Sequence, residues 1–135
     1  LRPNSILKNY FMTEKEEQLL SEAATLFKRN GIKSMTMDDI ARALKVSKKT
    51  LYKYVKDKND LVFKAVKLDL DKSDIEFEEV CKSSTDPIDE LFNITAYASK
   101  HLKSLHPSVM YDMQRFHPEV WRYFEEHKAA CIYES

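Results

Sequence analysis

The chain of 135 residues has one glycine, four prolines and two cysteines, and its formal net charge is zero. So little glycine excludes Gly-rich phosphate loops and most tight hairpins, and so little proline leaves no material for stiff linkers. Helices are therefore the expected secondary structure. Cys81 and Cys131 have neither CxxC spacing nor a surrounding disulfide framework, which points to a reducing compartment. The four histidines, His101, His106, His117 and His127, are never paired at i, i+4 with a carboxylate as a zinc helix requires, so neither a metal nor a cofactor is expected. No apolar run approaches the ~20 residues that span a bilayer, and the N-terminus shows no hydrophobic stretch followed by a small-residue cleavage site. A cytoplasmic protein without a membrane partner is expected. No Ser/His/Asp, Cys/His or paired-carboxylate spacing suggests an enzyme.

What is present is a globular composition, 43% hydrophobic and 33% charged. It suits one compact domain, or a small head with part of a second helical body. The zero net charge conceals a division: residues 1–68 hold 15 Lys/Arg against 8 Asp/Glu, whereas residues 69–135 hold 7 against 14. Such asymmetry suggests a basic, polyanion-facing head joined to an acidic body, the alternative being chance clustering on solvated faces.

Caps mark the helix boundaries. Thr13 and Glu16 have the spacing of a capping box, and Leu19, Leu20, Ala23, Ala24, Leu26 and Phe27 form an apolar stripe closed by Lys28, Arg29, Asn30 and Gly31. Gly31 sits where a left-handed helix cap is expected. Thr36 caps a second helix with Asp38 and Asp39 in its first turn and Met37, Ile40, Ala41 and Leu44 facing inward. After a turn at Lys45 and Val46, Ser47 caps a third helix, predicted over Lys48 to Tyr54, with Leu51 and Val55 inward and Lys48, Lys49, Tyr52 and Lys53 outward. This is the layout of a helix-turn-helix, whose second helix reads base edges in the major groove. Residues 28–58 hold ten Lys/Arg and three Asp/Glu, enough to displace counterions from phosphates, although a basic solvated hairpin has the same composition.

The first helix with its apolar stripe, then Gly31-Ile32, Thr36-Met37, Asp39-Ile40-Ala41, Val46-Ser47-Lys48, Thr50-Leu51-Tyr52, Tyr54, and Lys58 followed by Leu61, resembles the N-terminal domain of the TetR family of bacterial transcriptional regulators. The resemblance implies an all-α fold: a three-helix N-terminal DNA-binding head, then a helical ligand-binding and dimerisation domain. Residues 13–60 would form the head and 61–135 the front part of the regulatory body, incomplete at its C-terminus, where Cys131 to Ser135 end without a helix stop. Residues 1–12 would be an arm touching DNA through Arg2 and Lys8, or expression-derived. By resemblance Thr36, Tyr54 and Lys58 look like phosphate anchors and Lys48, Lys49, Thr50, Tyr52 and Lys53 like the recognition surface, with Ser47 in the same DNA-facing set. Lys45 and Lys49 stand where the family often has glycine, so Lys45 must take the turn without glycine's freedom.

Beyond the head, Asp57 caps a fourth helix with Leu61, Val62, Ala65, Val66 and Leu68 inward, leading into the acidic run from Asp69 to Glu79. In the family, shifts of this helix change the separation of two heads in a homodimer. Asp86-Pro87 opens a fifth helix, expected to be a central core helix, with Ile88, Leu91, Phe92, Thr95, Ala98, Leu102 and Leu105 on one stripe. His106-Pro107 and His117-Pro118 divide the remainder into two further helices. Tyr97, Met110, Met113, Phe116 and Trp121 are candidates for lining a small-molecule effector pocket, apolar or aromatic in character, or are plain core. The function implied is a sequence-specific DNA-binding regulator, most often a repressor, that binds an operator as a homodimer and is released by an effector. The alternative is a protein-interaction or co-regulatory module that has lost DNA reading.

Overall fold

The computed structural model describes residues 12–134, with side chains through 127; the expected N-terminal arm with Arg2 and Lys8 lies outside the described residues. These residues form seven helices and no strand: α1 Glu14–Asn30, α2 Met37–Ala43, α3 Lys48–Tyr54, α4 Lys58–Ser83, α5 Pro87–Ser104, α6 Ser108–Phe116 and α7 Pro118–Glu134. No helix among them is long and apolar enough to cross a membrane.

Side-chain caps start the first five helices, because each satisfies one of the amides that a helix leaves unpaired. Thr13, Thr36, Ser47, Asp57 and Asp86 accept from the amides of Glu16, Asp39, Thr50, Asp60 and Asp89 respectively. The complete reciprocal box is at α2, where the Asp39 carboxylate also accepts the Thr36 amide at 3.0 Å. Those hydrogen bonds hold the Asp39 carboxyl below the ordinary carboxylate value, with Arg42 and Lys58 adding to the effect.

Gly31 ends α1 with φ 86° and ψ 169°, a conformation open essentially to glycine alone and different from the left-handed cap expected of it. Space imposes a second restriction: a Cβ there would lie 2.5 Å from Ser108 Oγ. The chain's one glycine thus marks the place where the first helical segment meets α6.

Leu20, Ile32, Ile40, Leu51, Leu61 and Val62 are the largest fully buried side chains, drawn from α1, the loop after it, α2, α3 and α4. The buried cluster continues through Ala65 and Leu68 on α4 to Val109, Met113 and Val120 on α6 and α7. Burying apolar side chains at roughly 1.5–3 kcal/mol each joins the small helices to the long one. Lys28 on α1 adds a half-buried ion pair with Asp69 on α4 at 2.6 Å.

The fifth helix departs from expectation. No residue of α5 is buried, and Ile88, Leu91, Phe92 and Leu102 are 82%, 67%, 74% and 66% exposed. The face turned to α4 carries Tyr97, whose hydroxyl donates to the Ser73 carbonyl at 3.0 Å, and His101, paired with Glu76 at 3.5 Å. The aliphatic stripe lies outside that contact. An apolar stripe shows that a face favours cover, and here the covering element is not α4.

Residues of α6 and its flanking turns grip the end of α1. The His106 amide donates to the Lys28 carbonyl at 2.6 Å, and the buried Asp112 carboxylate accepts the amides of both Ile32 and Lys33 at 3.0 Å. Lys33 also lies over the Phe116 ring, 4.4 Å from its centroid. His117, 7% exposed, sits in this junction with its Nδ1 buried and without a hydrogen-bond partner. Burial holds the imidazole below its ordinary pKa of 6.5, Lys58 adds to the depression and Asp112 opposes it. Since the folded value is depressed, the neutral ring favours folding above pH ~6.5, and that contribution is lost as pH falls through the folded value. Thermal unfolding followed from pH 7.5 to 5 should show the wild type losing more stability than His117→Gln; parallel curves would contradict this origin of acid sensitivity.

Candidate nucleic-acid interface

The interface is built on α2 and α3, joined by a tight turn. Ile40, Ala41 and Leu51 face the core, which fixes the rotation of both helices and leaves their opposite faces in solvent. The turn closes through the Val46 amide, which donates to the Ala41 carbonyl at 3.0 Å, and Lys45 adopts φ 58°. Lys45 is the one non-glycine residue with positive φ among the described residues, as expected from the glycine that the family often places there.

Of the nine residues expected to face DNA, Thr36, Ser47, Lys48, Lys49, Tyr52 and Lys53 are exposed, while Thr50, Tyr54 and Lys58 are half-buried. Lys48, Lys49, Tyr52 and Lys53 form a continuous outer face of α3, as their spacing requires. Thr36 and Ser47 serve first as caps, and the Ser47 and Thr50 hydroxyl oxygens lie 2.9 Å apart. Lys58 stands apart from the α3 face at the start of α4, with its Nζ 3.4 Å from the Lys33 carbonyl. Burial pushes its ammonium pKa down, and Asp112 and Asp39 pull it back up.

Two features of the surface escaped the sequence reading. Lys48 Nζ pairs with Asp38 Oδ1 at 3.2 Å, so one cation of the outer face of α3 is held by the first turn of α2. Arg42 on α2 has a 79% exposed side chain and reaches Asp39 at only 3.7 Å, adding an exposed cation on the helix that precedes α3. The ten-cation count contained Arg42, but helical periodicity alone did not distinguish it from a solvated residue.

The proposed effector-lining residues do not converge. Met110 and Met113 border a small apolar cavity of about 100 Å³ with Phe27, Ile32, Leu105, Val109 and Phe124, whereas Phe116 borders a separate open cleft of about 490 Å³ beside Asp57, Phe63 and His117. Tyr97 joins α5 to α4, and Trp121 stacks on Phe124 with ring centroids 5.6 Å apart. The smaller cavity falls below the roughly 300 Å³ at which drug-sized ligands are accommodated.

Residues 19–65 match the family described as bacterial regulatory proteins, tetR family. Over those residues the chain is similar to the N-terminal domain of the TetR family. Its match spans α2, α3, the turn between them and most of α1, the segment that carries the exposed cationic face. Among curated proteins it is similar to the HTH-type transcriptional regulator HbdR of Aromatoleum sp. (strain CIB), 35% identical over 58% of this chain and 34% of the relative. It is also similar to the uncharacterized HTH-type transcriptional regulator YvaF of Bacillus subtilis (strain 168), 26% identical over 78% of this chain and 56% of that relative. The HTH-type transcriptional regulator SAB2452 of Staphylococcus aureus (strain bovine RF122 / ET3-1) is 31% identical over 50% of the chain and 36% of its own length. The chain thus spans between about a third and just over half of these relatives. No solved structure gives a significant match.

Within this TetR-like segment, the positive φ at Lys45 carries a cost that glycine would remove, since a side chain in the left-handed region is disfavoured by roughly 1–2 kcal/mol. Lys45→Gly should stabilise the fold by about 0.5–1 kcal/mol after glycine's larger unfolded-state entropy is counted, seen as a higher denaturant midpoint with an unchanged m-value. A lower midpoint would show that the Lys45 side chain contributes more than its backbone strain removes.

Proposed function

We propose that the chain is a sequence-specific DNA-binding transcriptional regulator whose α3 enters the major groove. The observation that carries this reading is the exposed row of Lys48, Lys49, Tyr52 and Lys53 on a core-anchored helix within a segment of ten Lys/Arg and three Asp/Glu. Cations there can neutralise phosphates, and the N-terminal side chains of the helix are those that reach base edges in this motif. Thr36, Tyr54 and Lys58 act as backbone anchors, and Ser47 and Thr50 contribute hydroxyl donors at the same edge. Arg42 adds a further phosphate contact. The relatives' names as HTH-type transcriptional regulators support the assignment.

The wider reading is a cytoplasmic homodimeric repressor released by a small-molecule effector. Met110 and Met113 favour an apolar effector, which must widen the small cavity they border before it can enter. Because that cavity touches Phe27 and Ile32 as well as α6, widening it moves the end of α1 directly.

A mobility-shift titration against DNA upstream of the protein's own gene tests the reading. A retarded complex should form with a steep salt dependence. Lys58→Ala should weaken every sequence alike and reduce the slope of log K against log salt by about 0.9. Lys49→Ala should instead change the preferred sequence, by about 1–3 kcal/mol at the base pair it contacts. Absence of a complex with every upstream fragment would count against DNA reading.

A further inference from the structure

The C-terminal end of α3 has no cap from its own segment. Val55, which follows the helix, is extended at φ −136° and ψ 151°, so the chain leaves α3 without the left-handed turn that commonly returns amides to the last carbonyls. In a helix of seven residues the four terminal carbonyls are more than half of the total, and their satisfaction governs how firmly the helix holds its shape. One partner comes from the next helix. Lys64 Nζ on α4 donates to the Tyr54 carbonyl at 2.8 Å and pairs with Asp60 Oδ2 at 3.3 Å.

Asp60 is itself fixed: its carboxylate accepts the Lys56 amide at 2.9 Å, and its amide donates to Asp57 Oδ1 at 2.9 Å. Lys64 therefore ties the last carbonyl of α3 to a corner already held by the first turn of α4. Its ammonium lies at the negative end of the α3 dipole, where a cation is favourable. The side chain is 38% exposed and turned into this corner, in contrast to the outward lysines of α3.

We propose that Lys64 is a positioning residue for DNA reading, setting the orientation of α3 and of Tyr54 without itself contacting DNA. The inference rests on the DNA-binding function proposed above. It separates Lys64 from Lys58, one helical stretch earlier on α4, which that reading assigns to phosphate. Losing the Lys64 contact lets α3 rock about its buried Leu51. Base-edge contacts depend on that angle, whereas diffuse attraction to phosphates depends mainly on charge.

The test compares wild type, Lys64→Met and Lys64→Arg on two duplexes, one selected from a random pool by the wild-type chain and one of mixed sequence. Titrations are run over a salt series well below each variant's melting temperature. Lys64→Met should lose about tenfold on the selected duplex while holding mixed-sequence binding and the salt slope near wild-type values, and Lys64→Arg should recover most of the loss. Equal weakening on both duplexes with a slope reduced by about 0.9 would make Lys64 a phosphate contact and overturn the proposal. Unchanged affinity for the selected duplex would overturn it as well. If the wild-type chain selects no duplex, the DNA-binding reading fails first and the role of Lys64 falls with it.

Discussion

The Asp112 carboxylate holds the protein together at its most demanding point. It is 6% exposed, and both its hydrogen bonds go to consecutive backbone amides some eighty residues earlier, at Ile32 and Lys33. Those amides belong to the segment between α1 and α2, where a helix end must be reconciled with a turn. Without a carboxylate they would be left unpaired at a cost of about 1–3 kcal/mol each. The same approach of α6 explains Gly31, whose missing side chain leaves room for Ser108. The glycine and the buried acid thus both meet α6 at one junction.

That docking has consequences for the proposed DNA-reading surface. Lys33 is held by Asp112 through its amide and by Phe116 through its ammonium, while its carbonyl lies near Lys58. Lys58, the proposed phosphate anchor, is thus two contacts away from α6. Contacts from α6 and from the start of α4 meet at Lys33. The small apolar cavity beside Met110 and Met113 lies under this junction, between the end of α1 and α6.

Much of this was legible in the sequence, because the signals are local. Thr36, Ser47, Asp57 and Asp86 announced their helices through cap chemistry, and the expected bounds of α3 coincide with the observed ones. The outward row on α3 followed from the inward positions of Leu51 and Val55. Contacts between distant segments were not legible. Asp112 lies in the sequence Val109-Met110-Tyr111-Asp112-Met113, where periodicity reports an apolar helix but not the amides its acid will meet. Lys64 carries no sequence signal, because its partner, a backbone carbonyl, leaves no mark in composition. The stripe on α5 was read as core since its spacing is that of a buried face, yet spacing does not name the element that covers it. Tyr97, Phe116 and Trp121 share a largely apolar character with Met110 and Met113 but belong to different contacts.

The dependence of the head on α6 is tested most directly by amide hydrogen exchange at Ile32 and Lys33 in the wild-type chain. If Asp112 binds the loop as part of one cooperative core, both amides should exchange only through an opening as costly as that of buried core amides such as Leu20 and Ala65. Exchange at Ile32 and Lys33 through a small local opening, orders of magnitude faster than in that core, would contradict it and leave the head structurally independent of α6.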